Sequence, residues 1–566
     1  MSQHPLSYLE GYNAAAIEKY YSRRPWLVIW RISVVTFIFA GFFLGLGWDK
    51  LTGQDNYQGK RAKQLLRIIT RLGPGFIKVG QALSTRPDLI RQDFLEELTK
   101  LQDQLPAFPN EQAYATIERE LDRPIEEVFQ TISAQPVAAA SLGQVYKGTL
   151  RTGEEVAIKV QRPNLQPIIT RDIYVLRIIA SWLAPFLPLT LGKNLADIVD
   201  EFGIKLFEEI DYVNEAKNAE RFAAYFADDL RIKVPLMYRN FSSRRVLTME
   251  WINGIKLTDA EGIKAAGLNS DDFVRIGVLT GLRQLLEFGF FHADPHPGNL
   301  FATYDGRMAY IDFGMMDQLD LTTKETLVDA VVHLINKDYD QLGQDYVNLG
   351  FLPPNVNMPP IVKALEEILG DIMSEKVSDF NFKVVTDRFS HLMYDYPFCL
   401  PAKFALIIRS VITQEGVALS LNPEFKIVQV AYPYVAKRLL TDDASSLRQR
   451  LVEVLFKDGK FQWSRLENLI SIAKSDGGFD LVPTAQMGLQ YLFSDEGKYL
   501  RQRLLLALTD EDRLHTDEVQ RLWQLVRADL EPAKLWNAAI GALSNALPKA
   551  IASAIPFAAI LPGVNS

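Results

Sequence analysis

A single cysteine, Cys399, stands in 566 residues, which excludes an intramolecular disulfide and any cysteine-rich zinc site. Histidine is nearly as scarce, six in all, yet His292 and His296 lie four residues apart. Basic charge is not in excess: 61 Lys and Arg stand against 69 Asp and Glu, for a net charge of −8. That balance argues against broad nucleic-acid binding, and no nucleic-acid partner is expected. No internal repeat of fixed period is present. With 48% hydrophobic and 23% charged residues the chain reads as globular rather than disordered, and its length allows about two to four domains.

Long uncharged runs are also few, and they lie near the two ends. Residues 32–48 hold seventeen residues without a charge, the lower limit for a helix that crosses a bilayer. Trp26, Trp30 and Trp48 flank the run as interfacial aromatics do, and Arg23-Arg24 before it would keep the N-terminus in the cytosol. A buried helix is the competing reading. Ser22-Arg23-Arg24 resembles a twin-arginine export start, but no small-residue cleavage site follows Leu46-Gly47-Trp48. Residues 535–564 form a second, apolar run, with alanine every four residues from Ala538 to Ala558 and interruptions at Pro548, Lys549, Pro556 and Pro562. The prolines favour a bent or surface-lying segment over a spanning helix.

Between these ends, residues 57–135 read as helices, with Phe94, Leu98, Leu101 and Leu105 spaced to form one apolar face. Strand-rich runs occupy 137–160 and 232–252, and helical periodicity returns after about residue 257. One island interrupts it: Phe291-His292-Ala293-Asp294-Pro295-His296-Pro297-Gly298-Asn299, then Asp312-Phe313-Gly314. An Asp with an Asn five residues on, followed by Asp-Phe-Gly after a β-like run, is what a phosphotransferase uses. Mg2+ takes hard oxygen ligands, and the Asp312 carboxylate with the Asn299 amide oxygen can hold it against nucleotide phosphates. Asp294 can accept a hydroxyl proton or orient an acceptor. Taken alone, His292, Asp294 and His296 also fit a metal-binding cluster or a plain hydrogen-bonded loop.

The strand-rich part supplies a matching half. Val156-Ala157-Ile158-Lys159 ends a β-run on a lysine that can reach α and β phosphates, and Glu209, Asp211 and Glu215 are candidate carboxylates to hold it. Upstream, a protein kinase has Gly-x-Gly-x-x-Gly-x-Val, whereas this chain has Ala138-Ala139-Ala140-Ser141-Leu142-Gly143-Gln144-Val145. Alanine resists the positive φ and close backbone approach that glycine permits, so this loop should meet phosphates differently. The preceding helical region adds Lys78-Val79-Gly80-Gln81, which ordinary kinases lack. No Ala-Pro-Glu follows Asp312-Phe313-Gly314, so no phosphorylation-controlled activation loop is expected.

Together these motifs resemble the UbiB, or aarF-domain, family of atypical kinase-like proteins, over roughly residues 60–340. The resemblance implies an α+β, protein-kinase-like bilobal fold with an N-terminal helical extension and a helical C-terminal region. The divisions it suggests are an N-terminal segment (1–56), a helical lid extension (57–135), a nucleotide-binding lobe (136–256), the catalytic part of the large lobe (257–340), a helical remainder (341–534) and an apolar end (535–566). It implies ATP or ADP with Mg2+ as cofactors. Ala138, Ala139, Ala140, Ser141, Gly143, Val145, Lys159, Glu215, Glu250 and Ile252 would bind nucleotide, Asn299 and Asp312 the metal, and Lys159 and Asp294 would act in catalysis. Lys78, Gln81, Glu209 and Asp211 would form a lid that excludes peptide substrates, with Glu215 left to partner Lys159. The implied function is an atypical kinase or ATPase with a small or lipid-like acceptor, supporting isoprenoid quinone or prenyl-lipid metabolism. A nucleotide- or lipid-binding pseudokinase scaffold without turnover is the alternative. With no Arg- and Ser-rich, acid-poor leader, the expected setting is the cytoplasmic or stromal side of a membrane, in a bacterium or as a mature organellar protein. Acceptor identity and oligomeric state are not legible.

Overall fold

The computed structural model describes residues 10–52, 59–84, 92–101, 106–184, 195–335, 337–374 and 400–425, with scattered positions and one short hairpin beyond them. Cys399, Leu105 and the 535–564 run lie outside the described residues. The chain begins with helices α1 (Ala14–Ser22), α2 (Pro25–Thr52), α3 (Lys60–Leu72), α4 (Pro74–Leu83), α5 (Gln92–Leu98), α6 (Asn110–Leu121) and α7 (Ile125–Val128). Strands β1 (Phe129–Ile132), β2 (Ala138–Ala139), β3 (Gly143–Leu150) and β4 (Glu155–Gln161) follow, then α8 (Leu165–Leu183), α9 (Leu195–Glu209) and α10 (Tyr212–Tyr225). Next come β5 (Ile232–Lys233), β6 (Val246–Glu250), β7 (Gly254–Lys256), α11 (Ala260–Ala265), α12 (Ser270–Arg283), β8 (Phe290–His292), β9 (Leu300–Thr303), β10 (Met308–Tyr310) and β11 (Met316–Gln318). Helices α13 (Leu321–Ile335), α14 (Tyr339–Asn348), α15 (Met358–Ser374) and α16 (Ala402–Leu421) complete the described elements used below.

An antiparallel sheet runs in the order β1-β3-β4-β6, with β2 also paired to β3. Successive strand residues face opposite sides. Val156, Ile158 and Val160 therefore enter one core with Ala113 and Ile117 of α6 and Tyr146 and Leu150 of β3. Ala157 joins the opposite core with Tyr212, Ala216, Ala219 and Phe222 of α10. Lys159 shares the face of Ala157 and so points toward α10. A second sheet, β5-β10-β9-β7, and the β8-β11 pair frame the loops that carry Asp294, Asn299 and Asp312.

These pairings move two expected boundaries. Residues 129–132 pair with β3 and α6 packs under the same sheet, so the helical extension stops well before 135. Strand β7 pairs with β9, and β5 with β10, so 254–256 and 232–233 belong to the second sheet rather than to the nucleotide lobe. Both errors arise because strand partners are set by long-range pairing that local pattern does not show.

The described residues fall into two compact units, one within 1–320, 350–356 and 382–425 and the other within 321–349, 357–381 and 426–566. The expected division near 340 is thus replaced by one at 320, and α16 rejoins the first unit because it packs on α12. In the second unit α14 packs against both α13 and α15.

Among the described residues two helices are long and apolar enough to cross a membrane, Pro25–Thr52 and Lys403–Leu421. On α2 the buried positions are Val28, Arg31, Val35 and Phe42, a single stripe at helical spacing that includes a charge. Arg31 is accommodated by Asp172 of α8: its Nε donates to Oδ1 at 2.9 Å and one terminal nitrogen to Oδ2 at 2.8 Å. The same nitrogen reaches the Leu72 carbonyl at the end of α3, also at 2.8 Å. Gly75 lets α4 start against this pair, since a Cβ there would lie 3.1 Å from Asp172 Oδ2. The other face of α2 is open, with Phe37, Leu44 and Leu51 exposed to 83%, 75% and 85%.

Arg31 and Asp172 are both buried, so removing Asp172 leaves Arg31 an uncompensated charge, at a cost of about 3–5 kcal/mol. Asp172→Ala is expected to expose α2 to limited proteolysis and to lower the unfolding midpoint. The double change Arg31→Met with Asp172→Leu is expected to recover most of both, because an apolar pair of similar size removes the buried charge altogether. Equal protease resistance of the parent and Asp172→Ala would show that the pair does not hold the helix.

Candidate functional site

The site is built where one face of β4, the start of α10 and the segment after β10 meet. Asp211 begins α10 as its N-cap, its Oδ1 accepting from the Val213 N–H at 3.0 Å. The buried stripe of that helix is Tyr212, Glu215, Ala216, Ala219 and Phe222, so Glu215 is an acid placed among apolar positions. It is accounted for by Lys159, whose ammonium donates to both carboxylate oxygens at 2.8 and 2.9 Å. Asp312 Oδ1 lies 3.9 Å from the same ammonium. Burial opposes charge on Lys159, but Asp312 and Glu215 outweigh it and hold the ammonium above its ordinary range. Burial pushes the Glu215 carboxyl up to about 7 against the pull of Lys159.

Asp312 is fixed by three groups. Its Oδ1 accepts the Gly314 N–H at 3.0 Å, its Oδ2 accepts the Asn299 side-chain amide at 3.1 Å, and its carbonyl accepts from His292 Nε2 at 2.9 Å. Burial alone would raise its carboxyl, but Lys159, the Gly314 N–H and Lys78 together bring it down to about 2. A carboxylate kept ionised beside a side-chain amide suits a hard cation, because Mg2+ needs only one or two protein oxygens when phosphates and waters supply the rest. Asp312 and Asn299 are the residues that would hold it. Phe313 is fully buried, and its carbonyl accepts from Asn218 of α10 at 3.1 Å.

His292 is no metal ligand here. Its Nε2 donates to the Asp312 carbonyl and its Nδ1 accepts the Asp294 N–H at 3.1 Å, so both ring nitrogens are committed and the ring is neutral. Its own N–H is received by Gln284 Oε1 at 2.8 Å. His296 Nδ1 accepts the Gly298 N–H, capping the turn that carries Asn299. Among the described residues no group of three or more His, Cys, Asp or Glu is arranged to hold a metal ion. Asp294 itself meets Arg409 of α16, which donates to its Oδ2 at 2.6 Å.

The four expected lid residues separate. Lys78 of α4 is buried and forms an ion pair with Glu209, at the end of α9, at 2.5 Å. Gly314 sits close to this group: a Cβ there would lie 3.3 Å from Asp312 Oδ1, 3.7 Å from Glu209 Cγ and 3.8 Å from Glu215 Oε2. Gln81, one helical turn further on, instead donates to the Leu101 carbonyl at 3.0 Å and fastens α4 to the end of α5. Asp211 is a cap, and its second oxygen pairs with Arg244 at 3.2 Å.

The alanine segment is a hairpin, with Ala138 opposite Val145 and Ala139 opposite Gln144. None of its residues has positive φ, so alanine costs nothing there. The Ala140 carbonyl accepts two bonds from the Arg162 guanidinium, at 2.9 and 3.1 Å, and Ser141 is buried. Gly143 is required by packing, since a Cβ would come within 2.5 Å of the Val160 carbonyl oxygen and 2.6 Å of the Tyr212 hydroxyl. Glu250 is committed elsewhere: its carboxylate accepts from Lys233 at 2.7 Å and from the Leu236 N–H at 3.1 Å. Its own N–H donates to the Leu236 carbonyl. Ile252 lies half-buried in the loop after β6.

Sequence reasoning missed Arg409, Asn218 and Gln284. Only Arg409 carried a signal, a lone basic residue inside an apolar run.

A lysine on a central strand tied to a helix glutamate, with a His-x-Asp loop and an Asp-Phe-Gly behind it, defines a protein-kinase-like fold. A family model described as "ABC1 atypical kinase-like domain" matches residues 100–346. An uncharacterized protein of Synechocystis sp. is 60% identical over 98% of this chain and 98% of its own length. The chloroplastic Protein ACTIVITY OF BC1 COMPLEX KINASE 1 of Arabidopsis thaliana is 49% identical over 86% of this chain and 75% of its own length. An uncharacterized chloroplastic aarF domain-containing protein kinase of the same plant is 37% identical over 88% and 72%. The chain belongs to the ABC1, or aarF-domain, family of atypical kinase-like proteins.

Burial lowers the pKa of His292 from its ordinary 6.5. A group that binds a proton more weakly when folded contributes stability that is lost as pH falls below about 6.5 toward the folded value. The stability difference between the parent and His292→Gln, measured by denaturant unfolding, is therefore expected to narrow from about pH 7.5 to about pH 5.5. A constant difference would place the imidazole in a different protonation state.

Proposed function

We propose that this chain is an atypical kinase or ATPase that binds ATP or ADP with Mg2+ and turns over the triphosphate at a membrane surface, in support of isoprenoid quinone or other prenyl-lipid metabolism. The observation that carries the reading is the cluster of Lys159, Glu215, Asp312 and Asn299 within hydrogen-bonding or ion-pair distance of one another. Lys159 offers an ammonium to the phosphates, Glu215 holds it in place, and Asp312 with Asn299 would hold the metal. When bound, that ion neutralises charge on the phosphoryl oxygens. Asp294 keeps one carboxylate oxygen for an acceptor hydroxyl or water.

The Lys78–Glu209 pair supports a small or lipid-like acceptor. A buried ion pair brought in by the helical extension stands beside Gly314, and space near the phosphates is correspondingly reduced for a peptide. The names of the chloroplastic relatives and the cyanobacterial match support a photosynthetic setting. The open face of α2 supports membrane contact, with Trp26, Trp30 and Trp48 exposed among its aliphatic residues. Because the opposite face of α2 packs on α3, α4 and α8, the helix lies along the protein and touches a bilayer from one side.

Asp312→Asn is expected to abolish the Mg2+-dependent thermal shift by ATP or ADP and to lower hydrolysis by at least about a hundredfold. Shifts and hydrolysis equal to the parent would refute the assignment. A parent that binds nucleotide yet hydrolyses none, with or without phenolic or lipid additives, would instead identify a scaffold. For the membrane, Phe37→Ser with Leu44→Ser and Leu51→Ser changes only exposed positions. The triple variant is expected to leave the membrane pellet for the soluble fraction, and unchanged pelleting would exclude α2 as the contact.

A further inference from the structure

Asp294 has a partner that neither the motif pattern nor the family match assigns. Arg409 lies on α16, beyond the matched residues 100–346. Its side chain is only 17% exposed, and that of Asp294 21%, so the pair is largely withdrawn from water. A guanidinium usually meets a carboxylate through two parallel bonds. Here only one is made, from a terminal nitrogen to Oδ2 at 2.6 Å. Among the described residues the Arg409 side chain makes no other hydrogen bond, and Asp294 Oδ1 receives none.

The placement is enforced by packing. Phe404, Ala405, Ile407, Val417 and Ala418 of α16 are buried, and α16 packs closely on α12. Gly281 of α12 admits the Gln414 amide, which any side chain there would overlap. The helix also contacts the turn of Pro297–Asn299, which carries the metal-ligand candidate Asn299. A half-buried cation with four unused N–H donors thus stands at the phosphoryl end of the site. Lys159 and Lys78 there are matched to Glu215 and Glu209, and Arg409 is matched to Asp294 through only one of its five N–H donors.

The geometry points to Arg409 as an arginine supplied in cis: one N–H anchors Asp294, and the remaining donors contact the oxygens of the phosphoryl group in transfer. Negative charge spread over those equatorial oxygens is what a planar, permanently charged fork stabilises. This inference rests on the reading of the site as a Mg-nucleotide enzyme, and the experiment separates the two. The bond that breaks joins the γ-phosphorus to the bridging oxygen, which leaves with ADP. The bond that forms joins that phosphorus to the acceptor oxygen, whose proton passes to Asp294 Oδ1.

The test measures binding of Mg-ADP, with and without fluoroaluminate as a mimic of the phosphoryl group in transfer, to the full chain and to Arg409→Gln and Arg409→Lys. In the parent, fluoroaluminate is expected to tighten ADP binding by about tenfold or more. In Arg409→Gln, affinity for Mg-ADP alone stays within about twofold while that tightening is lost and turnover falls about 10²–10³-fold. Arg409→Lys recovers part of both, as charge without the fork should. Undiminished tightening in Arg409→Gln, or turnover equal to or above the parent, overturns the assignment and leaves Arg409 as an inhibitory clamp or a packing residue. Should Arg409→Gln fail to fold, parent-like tightening in Arg409→Lys overturns it equally. A parent that binds no Mg-ADP removes the underlying reading as well, an outcome distinct from either.

Discussion

The ion pair between Lys159 and Glu215 is the constraint around which the rest is arranged. It joins a sheet to a helix that approaches from the other side of a long excursion through α8 and α9. Burying two charges is costly unless they meet, so the strand and α10 have one favourable relative position. That position in turn fixes what lies against α10. Asn218 holds the Phe313 carbonyl, Phe222 packs on Phe313 and Tyr310, and Asp312 arrives beside Lys159.

A second set of buried charges does the same work for the extension. Arg31 and Asp172 pin α2 to α8, and Lys78 with Glu209 pins α4 to α9. Each pair links segments far apart in sequence, and Gly75 lets α4 approach Asp172 of the first pair closely. The extension is thereby part of the site rather than an appendage, since Lys78 contributes to the field that keeps Asp312 ionised.

Much of this was legible in the residues alone, for reasons that differ from place to place. Strand alternation was enough to separate Lys159 from Val156, Ile158 and Val160, and the spacing of Asp294, Asn299 and Asp312 is a local property of one loop and one hairpin. Asp211 and Gln81 each have a short-range role, a helix cap and a backbone tether, which leaves the same trace in sequence as a functional polar residue. Glu250 is similar, its carboxylate meeting Lys233 and the Leu236 N–H. The strands at 129–132 and 254–256 and the position of Arg409 depend on partners that lie outside the local window, up to 115 residues away for Arg409 and Asp294, and no periodicity reports those.

His292 links the loop of Asp294 to the backbone of Asp312 with both ring nitrogens, while Phe313 is sealed in the core and its carbonyl is held by Asn218. The Asp-Phe-Gly segment is thereby tied to the loop before it. Turning the phenylalanine outward would break the Asn218 hydrogen bond and open a filled core at once, so a ligand that relies on such an inversion would have to offset both.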